Sequence, residues 1–262
     1  MRKETPLIIV ATPNICWLHP EVPYPRTAVE IAEEAALCRE AGASVLHTHA
    51  EEQWVEVLEE VKKRSDIIVQ GGMSSFTLQE RIELFEQDYD MASIILNHHA
   101  EAFKEVNCDM LHPLDELVEY AEACRKYGVK PEFEVWHTGS IWNLNQLINR
   151  GLLDAPYINT LFFGWPGGTW SPATMEEYLY RRRMMPENCA CTVSIMGEEQ
   201  MDILTAAILN DDHVRVGTED YPYNQQGKVC TTHELVKEIA DISRSLGREV
   251  ATPDQARKML GL

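Results

Sequence analysis

The chain has 262 residues, 45% hydrophobic and 25% charged, a mix that supplies a full apolar core and excludes a disordered polypeptide. Acidic residues number 42 against 23 basic ones, for a net charge of -19, so the average surface repels nucleic-acid phosphates and anionic lipid. That excludes neither an anionic substrate nor a local cationic site, because clustered arginine or a metal ion overrides a distant background within a Debye length. The seven cysteines (Cys16, Cys38, Cys108, Cys124, Cys189, Cys191, Cys230) are odd in number and form no C-x-x-C pair, which argues against a disulfide framework or a cysteine zinc site. No apolar run reaches the roughly 20 residues of a membrane span, and "MRKETPLIIVATPN" passes from charge straight into a short strand, so a cytoplasmic protein is expected.

In chain order the first apolar run is "PLIIVAT", read as a strand, followed by a helix over residues 27–42 with apolar positions at Val29, Ile31, Ala32, Ala35, Ala36 and Leu37 and a glycine stop. Strands follow at "ASVLHTH", "DIIVQGG", "MASIILN", "PEFEVWH", "YINTLFF", "CACTVSIM" and "HVRVGTED", with helical stretches between them. Two of these, "LDELVEYAEACRKYG" and "TTHELVKEIADISRSLG", carry Lys or Arg in their last turns and a glycine just beyond, as the helix dipole favours. The tail, residues 252–262, reads as a short capped helix opened by Thr252-Pro253-Asp254. Eight strands alternating with helices predict a (β/α)8 TIM barrel, one domain over residues 1–262; a doubly wound open sheet would leave two edges.

In such a barrel chemistry gathers at the carboxyl ends of the strands. The second strand closes with His47 and His49, which face the same way because side chains alternate along a strand. A divalent ion needs a third ligand, and Glu219 at the end of the eighth strand completes a His2Glu set. On spacing alone an H-x-H is more often a hydrogen-bonding pair than a ligand set, and the acids of the eighth strand shift that balance. Arg215 lies inside an otherwise apolar strand, so it requires an acidic partner, Asp220 or Glu134, or a bound anion; a purely structural ion pair answers the same need. Glu132 and Glu134 share one face of the fifth strand. Asn97 closes the fourth strand, and His98-His99 beyond it is a weaker metal candidate, since adjacent residues point opposite ways. "FGWPGG", residues 163–168, ends in Gly167 and Gly168; it reads as a tight turn whose amides can also receive an anionic oxygen.

Taken together, "EAGASVLHTHAEE", "MASIILN", "PEFEVWHTG", "FGWPGGTWSPATMEEYLYRRRMMP", "HVRVGTEDYPY" and "LGREVATPDQARKMLGL" resemble the β-keto acid cleavage enzymes, the family that includes 3-keto-5-aminohexanoate cleavage enzyme. The resemblance runs nearly end to end with the motifs in family order. It implies a zinc-dependent TIM barrel, a homotetramer, that converts a β-keto acid and acetyl-CoA into acetoacetate and a new CoA ester through Claisen and retro-Claisen chemistry. By position it implies His47, His49 and Glu219 as metal ligands, Asp220 with Arg215 as the proton-transfer unit, and Glu134 as a supporting polar partner. Substrate contacts are expected from Trp17, Gly72, Ser74, Ser75, Asn97, Gly167 and Gly168. The chain departs from the family at the third strand, where Gly72 stands at the place of a serine or threonine, and after the first, where Trp17 stands near the position that in the amino-keto acid enzyme holds an acid facing the substrate amine. The loop after the H-x-H is also shorter. An apolar or aromatic substrate side group is the expectation. The alternatives are another metal-dependent lyase or hydrolase on the same barrel, or a non-catalytic barrel that binds a small acid.

Overall fold

The computed structural model describes residues 5–50, 53–72, 76–100, 109–166 and 171–262. The strands in chain order are β1 (Ile9–Ala11), β2 (Val45–Thr48), β3 (Ile68–Gly71), β4 (Met91–Ile95), β5 (His98–Ala100), β6 (Asp109–Leu111), β7 (Lys130–Val135), β8 (Tyr157–Phe163), β9 (Cys189–Ile195) and β10 (His213–Val216). Eight of them close a parallel barrel in the order β1-β10-β9-β8-β7-β4-β3-β2, the architecture expected from the strand–helix alternation.

The remaining two, β5 and β6, form an antiparallel pair that periodicity did not announce. β4 stops at Ile95, and the Asn97 carbonyl accepts from the His112 N–H (2.6 Å), so His98 leaves the barrel and pairs with Leu111. The local sequence of a three-residue strand carries too few alternations to be read as one.

The helices are α1 (Ala28–Ala41), α2 (Trp54–Arg64), α3 (Leu78–Glu86), α4 (Leu114–Tyr127), α5 (Thr138–Asn149), α6 (Met175–Met184), α7 (Gln200–Leu209), α8 (Thr232–Ser245) and α9 (Pro253–Leu260). Thr27, Thr231 and Thr252 each close a capping box with the residue three further on, satisfying amides that the first turn leaves without partners. Gly128 ends α4 in the left-handed conformation, which only glycine adopts without a Cβ penalty.

Alternation along each strand sorts its side chains into two sets. Ile9, Leu46, Val69, Ile94, Phe133, Leu161, Val193 and Val214 face the helices and belong to the main core. Ile8, Val10, Val45, Ile68, Met91 and Ile158 point into the barrel and pack with Ala256 and Leu260 of α9. The C-terminal helix therefore plugs the amino-terminal end of the barrel, each buried aliphatic chain contributing about 1.5–3 kcal/mol. Above that floor the inward positions turn polar: Gln70, Ser93, Glu132, Thr160, Thr192 and Arg215 are all buried. A buried polar layer is costly unless its members pair, which directs attention to the carboxyl end above it.

Candidate active site

His47 is the second inward position of β2, above Val45, and His49 follows just past the strand end. Their rings approach edge to face with centroids 4.9 Å apart, and the two Nε2 atoms lie 3.2 Å from each other. Asn14, in the loop after β1, holds this end of the chain: its Oδ1 accepts from the Thr48 hydroxyl (3.0 Å) and the His49 N–H (3.1 Å), and its Nδ2 donates to the His49 carbonyl. Gly72 stands opposite. A Cβ there would sit 2.8 Å from His49 Cε1 and 3.1 Å from His47 Nε2, so glycine makes room for both rings.

Glu219 arrives from the turn after β10. That turn is stitched to β1 by the Glu219 N–H donating to the Thr12 carbonyl (3.1 Å) and the Thr218 hydroxyl donating to the Pro13 carbonyl (2.7 Å). Gly217 permits the approach, since a Cβ would run into the Thr12 carbonyl. The Glu219 carboxylate then lies 3.2 Å from His49 Nε2 and 3.6 Å from His47 Nε2.

These three groups meet the requirements of an ion site. A tetrahedral centre with bonds of about 2.0–2.1 Å has ligand atoms about 3.3–3.4 Å apart; His49 Nε2 lies 3.2 Å from both His47 Nε2 and Glu219 Oε1, close to that edge, and the other carboxylate oxygen, Oε2, lies 3.6 Å from His47 Nε2. Among the described residues the buried Glu219 Oε2 has no hydrogen-bond partner, a cost that a cation removes. Burial, with Arg215 nearby, holds His47 well below its ordinary pKa and thus neutral, as a ligand must be. Burial opposes ionisation of Glu219, but Arg215 beside it, helped by the hydrogen bond with His49, outweighs it and keeps the carboxylate charged. Among the described residues this is the one cluster of three or more His, Cys, Asp or Glu able to hold a metal ion.

Arg215 finds its partners in Asp220 and Glu219. Its Nη2 lies 2.8 Å from Asp220 Oδ1 and 2.7 Å from Glu219 Oε1, and its guanidinium sits 4.9 Å from the Phe162 ring centroid. Asp220 is fully buried and also accepts from the Ser194 hydroxyl (2.7 Å). Burial, with Glu219 beside it, raises its pKa above the ordinary aspartate value despite Arg215. Glu134 accepts from Trp136 Nε1 (2.8 Å) and adds to the field that keeps Arg215 charged.

The structure thus brings His47, His49, Glu219, Arg215, Asp220 and Gly72 together, with Trp17 edge-on to His49 at 6.0 Å. Asn97 stands apart, tied through its carbonyl to His112 just past the end of β6; among the described residues no hydrogen bond joins it to the histidines. Ser74, Ser75, Gly167 and Gly168 lie outside the described residues. Sequence reading missed Asn14, Gln70 and Ser194. Gln70 carried a signal, a lone amide within the apolar run "DIIVQGG", because a buried amide demands partners. It also missed that Trp136, Phe162, Trp165, Met196 and Ile95 form one apolar cluster beside Arg215, with Trp17 and Leu18 packed against it.

Comparison with known proteins gives this geometry a lineage. The family model for beta-keto acid cleavage enzyme matches residues 6–262. The chain belongs to the β-keto acid cleavage enzymes. It is 29% identical over 259 residues to a 3-keto-5-aminohexanoate cleavage enzyme of Fusobacterium nucleatum, covering 93% of this chain and 92% of that protein. A 3-keto-5-aminohexanoate cleavage enzyme of Acetoanaerobium sticklandii is 30% identical with the same coverage. A 3-dehydrocarnitine:acetyl-CoA trimethylamine transferase of Rhizobium meliloti is 27% identical over 91% of this chain and 90% of its own. Among solved structures, ObcA in a binary complex with oxaloacetate superposes with a TM-score of 0.73 at 18% identity, covering 91% of this chain and 67% of that one, a likeness of fold. As a family member the protein is an enzyme that breaks a carbon–carbon bond of a β-keto acid. No helix among the described residues is long and apolar enough to cross a membrane.

Proposed function

We propose that this enzyme takes a β-keto acid and acetyl-CoA and returns acetoacetate and the CoA ester of the remaining acyl group. The observation that carries the reading is the convergence of a His2Glu set with a buried Arg215–Asp220 pair on one rim. The named activities of relatives support it: 3-dehydrocarnitine, 3,5-dioxohexanoate and 3-oxoadipate each appear there with acetyl-CoA.

His47, His49 and Glu219 are the metal ligands in this reading, with zinc as the ion their chemistry suits; other divalent ions fit the same donors. The bound ion supplies Lewis acidity to the ketone and carboxylate oxygens of the keto acid. Asp220 takes and returns the carbon-bound proton during the Claisen and retro-Claisen steps. Its raised pKa suits a base that must also release what it accepts. Arg215 and Ser194 hold that carboxylate in place, and Glu134 supports the arginine. Gly72 leaves the space the histidine rings fill.

The substrate side group is apolar or aromatic. Trp17 stands beside His49 and packs, with Leu18, on the cluster of Trp136, Phe162, Trp165 and Met196, a surface that can bury an apolar side group. Ser74, Ser75, Gly167 and Gly168 complete the substrate contacts in this proposal, and Asn97 contributes at its edge. The chain works as one domain, residues 1–262, in a cytoplasmic homotetramer, an assembly the family resemblance supports.

The test is a panel of β-keto acids offered with acetyl-CoA to metal-analysed protein, with acetoacetate and acyl-CoA products followed by mass spectrometry. Turnover of an apolar β-keto acid is expected, and Trp17→Glu should shift preference toward aminated ones. Stoichiometric metal without turnover of any member would overturn the proposed reaction; unchanged preference in Trp17→Glu would overturn the side-group assignment.

A further inference from the structure

His47 is almost completely buried, and only one of its ring nitrogens faces the other candidate ligands. The other, Nδ1, lies 2.9 Å from Gln70 Oε1. Gln70 is the register partner of His47 on the neighbouring parallel strand, and both point inward. Its amide nitrogen donates in turn to Glu132 Oε2 at 3.1 Å, across the barrel interior on β7. Gln70 and Glu132 are each 3% exposed, so no water competes freely for either bond.

A glutamine amide is directional: one end accepts and the other donates. With its NH2 committed to the Glu132 carboxyl, Gln70 presents an oxygen to His47, and an oxygen can only accept. The proton of neutral His47 must then sit on Nδ1, which leaves the Nε2 lone pair aimed at His49 and Glu219. Turning the amide over would give up the bond from the Gln70 amide nitrogen to Glu132 Oε2 and aim an N–H at His47 Nδ1. It would also move the ring proton to Nε2, where it would occupy the centre of the three ligand groups.

We propose that Gln70, anchored by Glu132, is a positioning residue that fixes the His47 tautomer and hands its Nε2 lone pair to the ion. This rests on reading the triad as a metal site, and it concerns neither substrate nor base. Partners of this kind typically change metal affinity by 10- to 100-fold when removed, without touching the ion.

The test separates the two readings. Neutron diffraction on metal-free wild-type crystals locates the ring hydrogen directly, and competition against a chromophoric chelator measures Zn2+ affinity. Hydrogen on Nδ1 in the wild type is expected, together with a 10- to 100-fold weaker Zn2+ affinity in Gln70→Leu. Gln70→Glu, which keeps an oxygen toward His47, should retain most of the affinity. Hydrogen on Nε2, or a folded Gln70→Leu protein that binds Zn2+ as tightly as the wild type, would overturn the proposal. Should Gln70→Leu not fold, Gln70→Met carries the same comparison. Wild-type protein that binds no Zn2+ yet carries hydrogen on Nδ1 would refute the metal reading while leaving the tautomer assignment standing.

Discussion

Gly72→Ala tests the geometry of the site with a single methyl group. Gly72 closes β3 in ordinary backbone space, so the substitution adds no dihedral strain, only volume. The new Cβ would stand 2.8 Å from His49 Cε1, 2.9 Å from His49 Nδ1 and 3.1 Å from His47 Nε2. To regain an ordinary contact of 3.4 Å the His49 ring must retreat by about 0.6 Å. Ligand distances tolerate about 0.2 Å, so the displaced ring no longer fits a tetrahedral centre. Overpacking of this kind costs about 1–3 kcal/mol, which corresponds to a loss of roughly 5- to 150-fold in Zn2+ affinity if the strain is felt in the bound state. In metal-free protein the ring is held by Glu219 and His47 without a bond-length requirement at a metal centre, so the thermal midpoint of that form should fall less than that of the loaded form. Chelator competition and thermal unfolding, each on metal-free and loaded protein, give both quantities. A variant that binds Zn2+ with wild-type affinity would refute the claim that glycine is there to admit the two rings.

Three further outcomes follow from the same site. His47→Ala should lose bound metal and turnover together while keeping the far-ultraviolet circular dichroism of the wild type, because the barrel core does not depend on this side chain; retention of either property counts against the ligand assignment. Asp220→Asn should lower kcat by about 10²- to 10⁴-fold, and in the wild type the acid limb of kcat/KM should lie above the ordinary aspartate value of 3.8, since Asp220 must be ionised to act and burial raises its pKa. An acid limb at or below that value would remove Asp220 from the role. Burial, with Glu134 nearby, pushes Glu132 up to about 8, so its contribution to stability is complete below its ordinary 4.5 and is lost as pH rises toward 8. Glu132→Gln should flatten that decline in urea unfolding midpoints of metal-free protein between pH 5 and 9, and an unchanged slope would contradict it.

The legible parts of this molecule are those encoded by spacing. His47 and His49 were readable as co-facing because alternation along a strand is strict, and Glu219 because the last strand of a closed barrel lies beside the first. The capped tail was readable from Thr252-Pro253-Asp254, and it folds as α9. Gln70 and Glu132 stand 62 positions apart in the chain, and their meeting depends on strand register and barrel tilt, which no local pattern encodes. The same holds for Asn14 and Ser194, whose partners lie 35 or fewer positions away in sequence but on other strands. The aromatic cluster was hidden because Trp136, Phe162 and Trp165 each read as an ordinary core residue within its own strand or loop.

Charge ties the site to the whole chain. A β-keto acid is an anion, and it approaches a protein whose formal net charge is -19. Among the described residues in direct contact within the site, Arg215 is the single cation, while Glu219 and Asp220 are both acids. With both ionised, the side chains alone present a net charge of about −1 to an anionic substrate in a buried, weakly screened setting, where like charges repel strongly. Adding a divalent cation changes that sum to about +1 and turns repulsion into attraction. Metal removal should therefore weaken substrate binding as well as abolish turnover, whereas loss of Lewis acidity alone would spare binding. Isothermal titration with acetoacetate, in the absence of any CoA ester, distinguishes the two: chelated protein should bind at least tenfold more weakly than loaded protein, the effect of about 1.4 kcal/mol. Equal affinity in the two forms would mean that Arg215 receives the carboxylate unaided, and that the pairing of Arg215 with Asp220 opens when substrate arrives.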